Sequence, residues 1–309
     1  MTNLKKGYFI AVSATFFLGT TAIFIGYLTR IQQVAPLVVA WWRDILVCAI
    51  LGPVLFFIRR SLLRTERKNL WFFISFGLVM AVFNAVWTLS VQLNGAAVAT
   101  VLAYGSTGFT ALLGRWLFKE RLDLAKIMAV VLSLGGCILV SKAYDPGVWN
   151  INPMGILFGV GTALLYAIYS LMGKESSRRG INSWASLFFA FGLAAVFLVV
   201  INFIPGIPGS AGTLAGLFPK MTSTAWQLMI GLALVSVVGF GLYILAMNYL
   251  QASVTNLIAT LEPVLTAVLA YILLNERMAM LQGLGGVLIV LSLVILRLSE
   301  QETLKAQPN

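Results

Sequence analysis

The feature that most constrains this chain is a succession of ten apolar runs. Each is close to the ~20 residues that an α-helix needs to cross ~30 Å of hydrocarbon. They lie at roughly 7–28, 36–58, 70–92, 96–118, 125–142, 153–173, 182–204, 224–249, 252–274 and 279–297. The runs are continuous, not alternating, so they read as helices and exclude the closed barrel, the other fold that satisfies its backbone in lipid. Composition agrees: 60% of the 309 residues are hydrophobic, 10% are charged, and the mean hydropathy is +0.95. Soluble domains carry roughly 25% charged residues, so this chain is expected to be an all-α polytopic membrane protein. Lys5 and Lys6 precede a first run that is too long for a signal-peptide core and lacks a small-residue cleavage site. It is therefore expected to stay as a span.

Charge sets the orientation. Of the 21 Lys and Arg residues, sixteen fall on the side of the N-terminus and four (Arg30, Lys142, Lys220 and Arg277) on the other, while Arg43 lies within a span. Basic residues concentrate on the cytoplasmic side of membrane proteins, so both termini are expected in the cytoplasm of a bacterial cell. The cations flank apolar runs and form no stripe, which argues against a nucleic-acid partner despite the net charge of +11. Trp71, Trp149 and Trp226 sit at run ends, where an interfacial aromatic belt accounts for them. Cys48 and Cys137 lie inside apolar runs, so neither a disulfide framework nor a metal site is expected. The absence of histidine removes His relays, Ser–His catalysis and His metal ligands together. No cofactor is expected.

The chain also repeats itself. A shift of 156 positions lays Ala96–Arg121 over Ala252–Arg277 without a gap, with nine identities in 26 positions, among them the terminal pairs Glu120-Arg121 and Glu276-Arg277. An internal duplication follows: residues 1–142 and 153–298 as two five-helix units, 143–152 as an external linker turning at Asp145-Pro146-Gly147, and 299–309 as a tail. Five spans per unit is an odd number, so the second unit enters the membrane from the opposite side. Inverted repeats of this kind recur in secondary transporters, whose sites lie at the repeat interface in paired, interrupted helices.

The interruptions are visible. Pro263 removes a backbone donor and crowds the carbonyl of Ala259, so the ninth span should bend or open beside Glu262. The matching positions in the first unit are Ser106 and Thr107, followed by Gly108. A carboxylate at mid-membrane is costly and marks a functional site by default, although a structural kink with Glu262 bonded to a neighbouring helix is nearly as good a reading. Arg43 and Asp44 pose the same question in the second span. At 1.5 Å per residue Arg43 and Glu262 differ in depth by only ~4 Å, so a salt bridge between them is feasible. Arg43 and Asp44 stand ~100° apart around their helix and are expected not to pair with each other. Semi-polar faces also line up. Asn84, Trp87 and Thr88 share a stripe on the third span, as do Thr162, Tyr166, Tyr169 and Ser170 on the sixth. The shift places Tyr243 over Trp87 and Asn248 over Gln92. Tyr104 joins this set of candidate substrate or coupling residues. Any one of these aromatics is more often packing than ligand contact, but buried polar tips need partners, and three such faces fit one central aqueous pocket. The glycines Gly155, Gly159 and Gly161, Gly135-Gly136, and Gly283, Gly285 and Gly286 form small-residue ridges suited to close helix packing. Whether they face inward or toward a second protomer is open, so the oligomeric state is not set.

With Leu261-Glu262-Pro263-Val264, Leu274-Asn275-Glu276-Arg277, the counterpart Leu117-Phe118-Lys119-Glu120-Arg121 and Arg43 in hand, the chain resembles the drug/metabolite transporter superfamily, EamA type, over about 7–297. Thr107 stands where the family's proline precedes Gly108, and Leu18 where a tryptophan is common before Gly19. The resemblance implies ten transmembrane helices as two inverted repeats around a central cavity. It implies export or exchange of amino acids and other small metabolites by alternating access, and the aromatic faces are similar to those of the aromatic amino-acid exporters. The expected partners are a small-molecule substrate, the lipid bilayer and coupling protons. Nucleobases, sugars or quaternary amines are alternative cargoes. A membrane enzyme is disfavoured: Gly105-Ser106-Thr107-Gly108 looks superficially like a serine site, but no histidine or depth-matched lysine stands by as base. A passive scaffold or lipid scramblase is disfavoured by the mid-membrane charges.

Overall fold

The computed structural model describes residues 3–64, 66–145, 152–265, 268 and 279–305, and all secondary structure among them is helical. Helix α1 (Asn3–Leu18) passes through a short turn into α2 (Thr21–Gly26), which ends in a π-helical turn over Tyr27–Ile31. Then come α3 (Pro36–Arg59), α4 (Leu70–Tyr104), α5 (Ser106–Phe118) and α6 (Leu124–Val140). The second half holds α7 (Pro153–Arg178), α8 (Ser183–Asn202), the one-turn α9 (Leu214–Leu217), α10 (Ser223–Ala246), α11 (Ala252–Ala259) and α12 (Met280–Lys305).

Local chemistry explains the starts. Pro36 and Pro153 occupy first-turn positions, where a missing N–H costs nothing. The side chains of Asp123, Asn152, Asn182 and Thr222 each accept a backbone N–H from the first turn of the helix that follows. By length and composition seven of the described segments can cross a membrane, and Leu124–Val140 and Ala252–Leu265 are shorter apolar helices. The boundary expected between the third and fourth spans is a corner, not a loop. Gly95 there has φ +83°, a left-handed conformation that glycine adopts at low cost. The last helix runs on to Lys305, through the expected start of the tail at 299. The linker residues 146–151, Trp149 among them, and 269–278, with the Asn275-Glu276-Arg277 motif, lie outside the described residues.

The principal helix contacts come in pairs that exchange under the repeat. Helix α4 packs on α7 as α10 packs on α1; α4 meets α8 as α10 meets α3; α5 meets α7 as α11 meets α1. The pairs α3–α8, α6–α12 and α5–α11 map onto themselves. That is the contact pattern of a two-fold relation between the halves. Close approaches repeat it as well. A Cβ on Gly155 would stand 2.5 Å from Asn94 Oδ1, and one on Gly7 would stand 2.8 Å from Leu250, the residue 156 positions after Asn94. Helices α6 and α12 use glycine to meet each other: a Cβ on Gly136 would lie 2.7 Å from the Gly285 carbonyl oxygen. Gly136, Gly155, Gly159 and Gly285 thus serve contacts inside the bundle, while Gly135, Gly161 and Gly283 have open space around them.

Candidate functional site

Two broken helices frame the centre. Helix α4 ends at Tyr104 and α5 begins at Ser106, while α11 ends at Ala259 and a turn at Thr260-Leu261 precedes Glu262. Tyr104 and Thr260 are repeat mates, so the chain is interrupted at the same register in both halves. In the first half the interruption centres on Gly105, one residue before Ser106, and in the second it falls just ahead of Pro263.

Between the breaks lies a cavity of about 30 Å³ lined by Leu18, Thr21, Phe83, Trp87, Thr100, Ala103, Tyr104, Tyr166, Phe240 and Glu262. Five aromatic side chains thus surround one carboxyl group. That volume holds water but falls well short of the ~300 Å³ typical of a small-molecule pocket, so the site is contracted. Glu262 hydrogen-bonds with the Tyr104 hydroxyl across the two broken spans. Behind the wall the rings continue: Phe83 and Tyr166 lie 5.4 Å apart, and Tyr169 stacks 6.1 Å behind Phe83.

Below the cavity a polar hub joins four helices. Asn256 Nδ2 donates to Ser170 Oγ at 3.1 Å and to Tyr243 Oη at 3.2 Å, and Asn256 Oδ1 accepts from Ser106 Oγ at 3.0 Å. Ser170 and Tyr243 bond each other at 2.8 Å, and Tyr243 is also bonded to Tyr166. Helices α5, α7, α10 and α11 are thereby tied at one point. Asn256 is a polar residue that the sequence reasoning missed; an amide in the middle of an otherwise apolar run is the signal that marks it.

Arg43 and Asp44 behave differently from the expectation. They pair with each other, Nε to Oδ1 at 3.3 Å, at 1% and 0% exposure. The angular argument fails because the Arg43 stem is long enough to fold back one position, and two desolvated charges gain too much to remain apart. Asn84 Nδ2 donates to both Asp44 oxygens, at 2.9 and 2.8 Å. The Arg43–Glu262 bridge is accordingly not formed: Arg43 is held by Asp44, and Glu262 by Tyr104. Asn248 also departs from the expected group. It is exposed at the end of α10 and donates to Ser183 Oγ at 3.3 Å, away from the cavity. Trp87, Tyr104, Tyr166 and Glu262 reach the cavity lining. Tyr169, Tyr243, Asn84, Arg43 and Asp44 surround it at one remove. Ser106 joins the hub, while Thr107 donates to the Tyr104 carbonyl at 2.9 Å and so closes the broken end of α4. Gly108 has open space at its Cβ position.

Polar contacts also hold the bundle ends. Glu120 caps α11: its Oε1 accepts the Ala252 N–H at 3.0 Å and its Oε2 accepts from Ser253 Oγ. A carboxylate there meets the positive end of the helix dipole. Lys126 donates to Gln251 Oε1 at 2.7 Å and Ser253 Oγ at 3.0 Å. Lys174, at the end of α7, donates to the carbonyls of Met247 and Leu250, both at 2.8 Å, where α10 gives way to α11. Arg30, at the end of the first span, donates to the Gln92 carbonyl at 3.0 and 3.3 Å, beside the corner at Gly95. These are corresponding places in the two halves, although the two cations are not repeat mates.

A profile of the EamA-like transporter family matches residues 5–142 and again 153–298. The chain belongs to the EamA-like transporter family. As an EamA-like protein it is a multi-pass membrane protein of a transporter family, in the drug/metabolite transporter class. Among its relatives is a protein of Archaeoglobus fulgidus described as an uncharacterized transporter, 27% identical over 70% of this chain and 74% of its own length. Another, from Escherichia coli, is described as a probable amino-acid metabolite efflux pump and is 24% identical over 86% of both chains. One solved crystal structure superposes on this EamA-like chain with a TM-score of 0.77 at 16% identity, covering 97% of this chain and 99% of its own. At that identity it speaks for the fold alone.

Proposed function

We propose that this EamA-like chain is a secondary transporter that carries a small amphipathic metabolite by alternating access, in the export direction, with the cavity over Glu262 as its central site. The single observation that carries this reading is the placement of Glu262: a carboxyl group at the break of the ninth span, bonded to Tyr104 at the break of the fourth, under aromatic walls from α4, α7 and α10. Aromatic walls suit an apolar or aromatic body, and the acid and hydroxyls suit a polar head. The description of the Escherichia coli relative as an amino-acid metabolite efflux pump makes amino acids, aromatic ones included, the first cargo to try. A cavity this small must widen to admit any of them.

In this reading Glu262 is the coupling group. It changes partner or protonation as the two broken spans part, and Arg43–Asp44–Asn84 keeps a neutral polar cluster behind the ring wall. Proteoliposome flux tests it. Wild type should move a labelled amino acid down an imposed proton gradient, and Glu262→Gln should fold but lose the dependence on that gradient. Unchanged gradient dependence in the variant removes Glu262 from the mechanism.

A further inference from the structure

Three buried polar atoms behind the cavity wall have no hydrogen-bond partner among the described residues: Arg43 Nη2, Tyr169 Oη and Asn84 Oδ1. They come from three helices, α3, α7 and α4, and their residues are 1%, 0% and 0% exposed. They are also neighbours. Asn84 grips the Asp44 carboxylate that holds Arg43, and the Tyr169 phenol lies within electrostatic reach of the Arg43 guanidinium. Buried polar groups are nearly always satisfied, and an exception calls for a reason. The set is not random in chemistry. Two atoms can donate, one of them from a cation, and one accepts. A guanidinium N–H and a phenol O–H within electrostatic reach of it are both donors of the kind a carboxylate accepts from. The Asn84 oxygen adds an acceptor, suited to an N–H of the same molecule.

We infer that Arg43 Nη2, Tyr169 Oη and Asn84 Oδ1 form a second subsite, which takes the carboxylate of the transported molecule. It rests on the transport reading and adds to it the substrate class: a molecule with a carboxylate head and an apolar body. The rings explain how the two sites connect. Phe83 and Tyr166 line the cavity and Tyr169 stands directly behind them, so one layer of side chains separates the pocket from the subsite. In the contracted form that layer is shut. Arg43 is already neutralised by Asp44, so an arriving carboxylate adds a negative charge that an ammonium on the same molecule balances. Zwitterions are therefore favoured over plain carboxylates.

Tyr169→Phe tests this cleanly, because it deletes a hydroxyl that has no hydrogen-bond partner among the described residues. Purified wild type and Tyr169→Phe are titrated in detergent, by calorimetry, with L-phenylalanine, 3-phenylpropionate and phenethylamine, while thermal unfolding is followed without ligand. A hydrogen bond to a charged group predicts that the variant unfolds no earlier than wild type yet binds both carboxylates about tenfold or more weakly, with phenethylamine unchanged. The proposal is overturned if neither carboxylate binds wild type, if all three probes weaken alike, or if the carboxylates bind the variant as tightly as wild type. Earlier unfolding of the ligand-free variant also overturns it, since the hydroxyl then holds a structural water. Binding in micelles needs neither gradient nor flux, so failure of transport in liposomes and failure of this subsite are read separately.

Discussion

The Arg43–Asp44 pair offers the sharpest energetic test of the centre. Removing one member of a buried ion pair costs about 3–5 kcal/mol, because the other charge is left uncompensated, whereas removing both charges is far cheaper. The geometry orders the two single variants. In Arg43→Met the Asp44 carboxylate keeps both bonds from Asn84, at 2.9 and 2.8 Å. Its loss should stay near the 1–3 kcal/mol of a buried acceptor short of one partner. In Asp44→Asn the guanidinium, 1% exposed, loses its contact with the Asp44 carboxylate, while Nη2 has no hydrogen-bond partner among the described residues. That variant should fall at the 3–5 kcal/mol end. The double variant leaves an amide oxygen for Asn84 and no charge, so about 1–2 kcal/mol should separate it from wild type. At roughly 2–4 °C per kcal/mol for a chain of this size, Asp44→Asn should unfold on the order of 10 °C early, and the double variant should recover most of that. Tryptophan fluorescence during heating in detergent reads all four proteins. A double variant as unstable as Asp44→Asn refutes the reasoning, because the two charges would then be uncoupled. If the double variant folds and still fails to bind L-phenylalanine, the pair serves recognition as well as the fold.

Two further expectations concern helix contacts. Gly136→Ala places a methyl 2.6 Å from Ile289 Cγ1 and 2.7 Å from the Gly285 carbonyl oxygen, and overpacking of this kind costs about 1–3 kcal/mol. The adjacent Gly135→Ala, with nothing within 4 Å, should be neutral or gain up to about 1 kcal/mol from helix propensity; equal melting points for the two would show that α6 and α12 do not meet as described. Asn256→Leu should cost about 1–3 kcal/mol, and no more, because Ser170 and Tyr243 each lose a bond from Asn256 but retain their mutual one at 2.8 Å, while Ser106 loses its bond to Asn256. A melting point equal to wild type would show that the hub holds nothing.

The sequence carried the large features because each had a periodic or compositional signature. Apolar run length marked the membrane class, and the ungapped shift of 156 marked the duplication. The proline after Glu262 and the Gly105–Gly108 segment marked the two interrupted spans. Side-chain pairing was less legible. Angular spacing on a helix describes where a Cβ points, and a side chain as long as that of Arg43 escapes it. The shift argument misled at Asn248 because the third and eighth spans end differently. The third turns a corner at Gly95, a left-handed glycine, while α10 ends at Ala246 and leaves Asn248 in an exposed turn. The Asn256–Ser106 and Glu120–Ala252 bonds each span more than 100 positions, and no local pattern names such a partner.

The grips at the two bundle ends have a consequence for how such proteins diverge. Arg30 and Lys174 seize backbone oxygens of Gln92, Met247 and Leu250, not their side chains. Every residue type offers that same oxygen, so the three acceptors are free to drift without loosening the clasp. Only the two cations are bound to stay, and a mechanism written mostly in the main chain can outlast nearly all of the text that first encoded it.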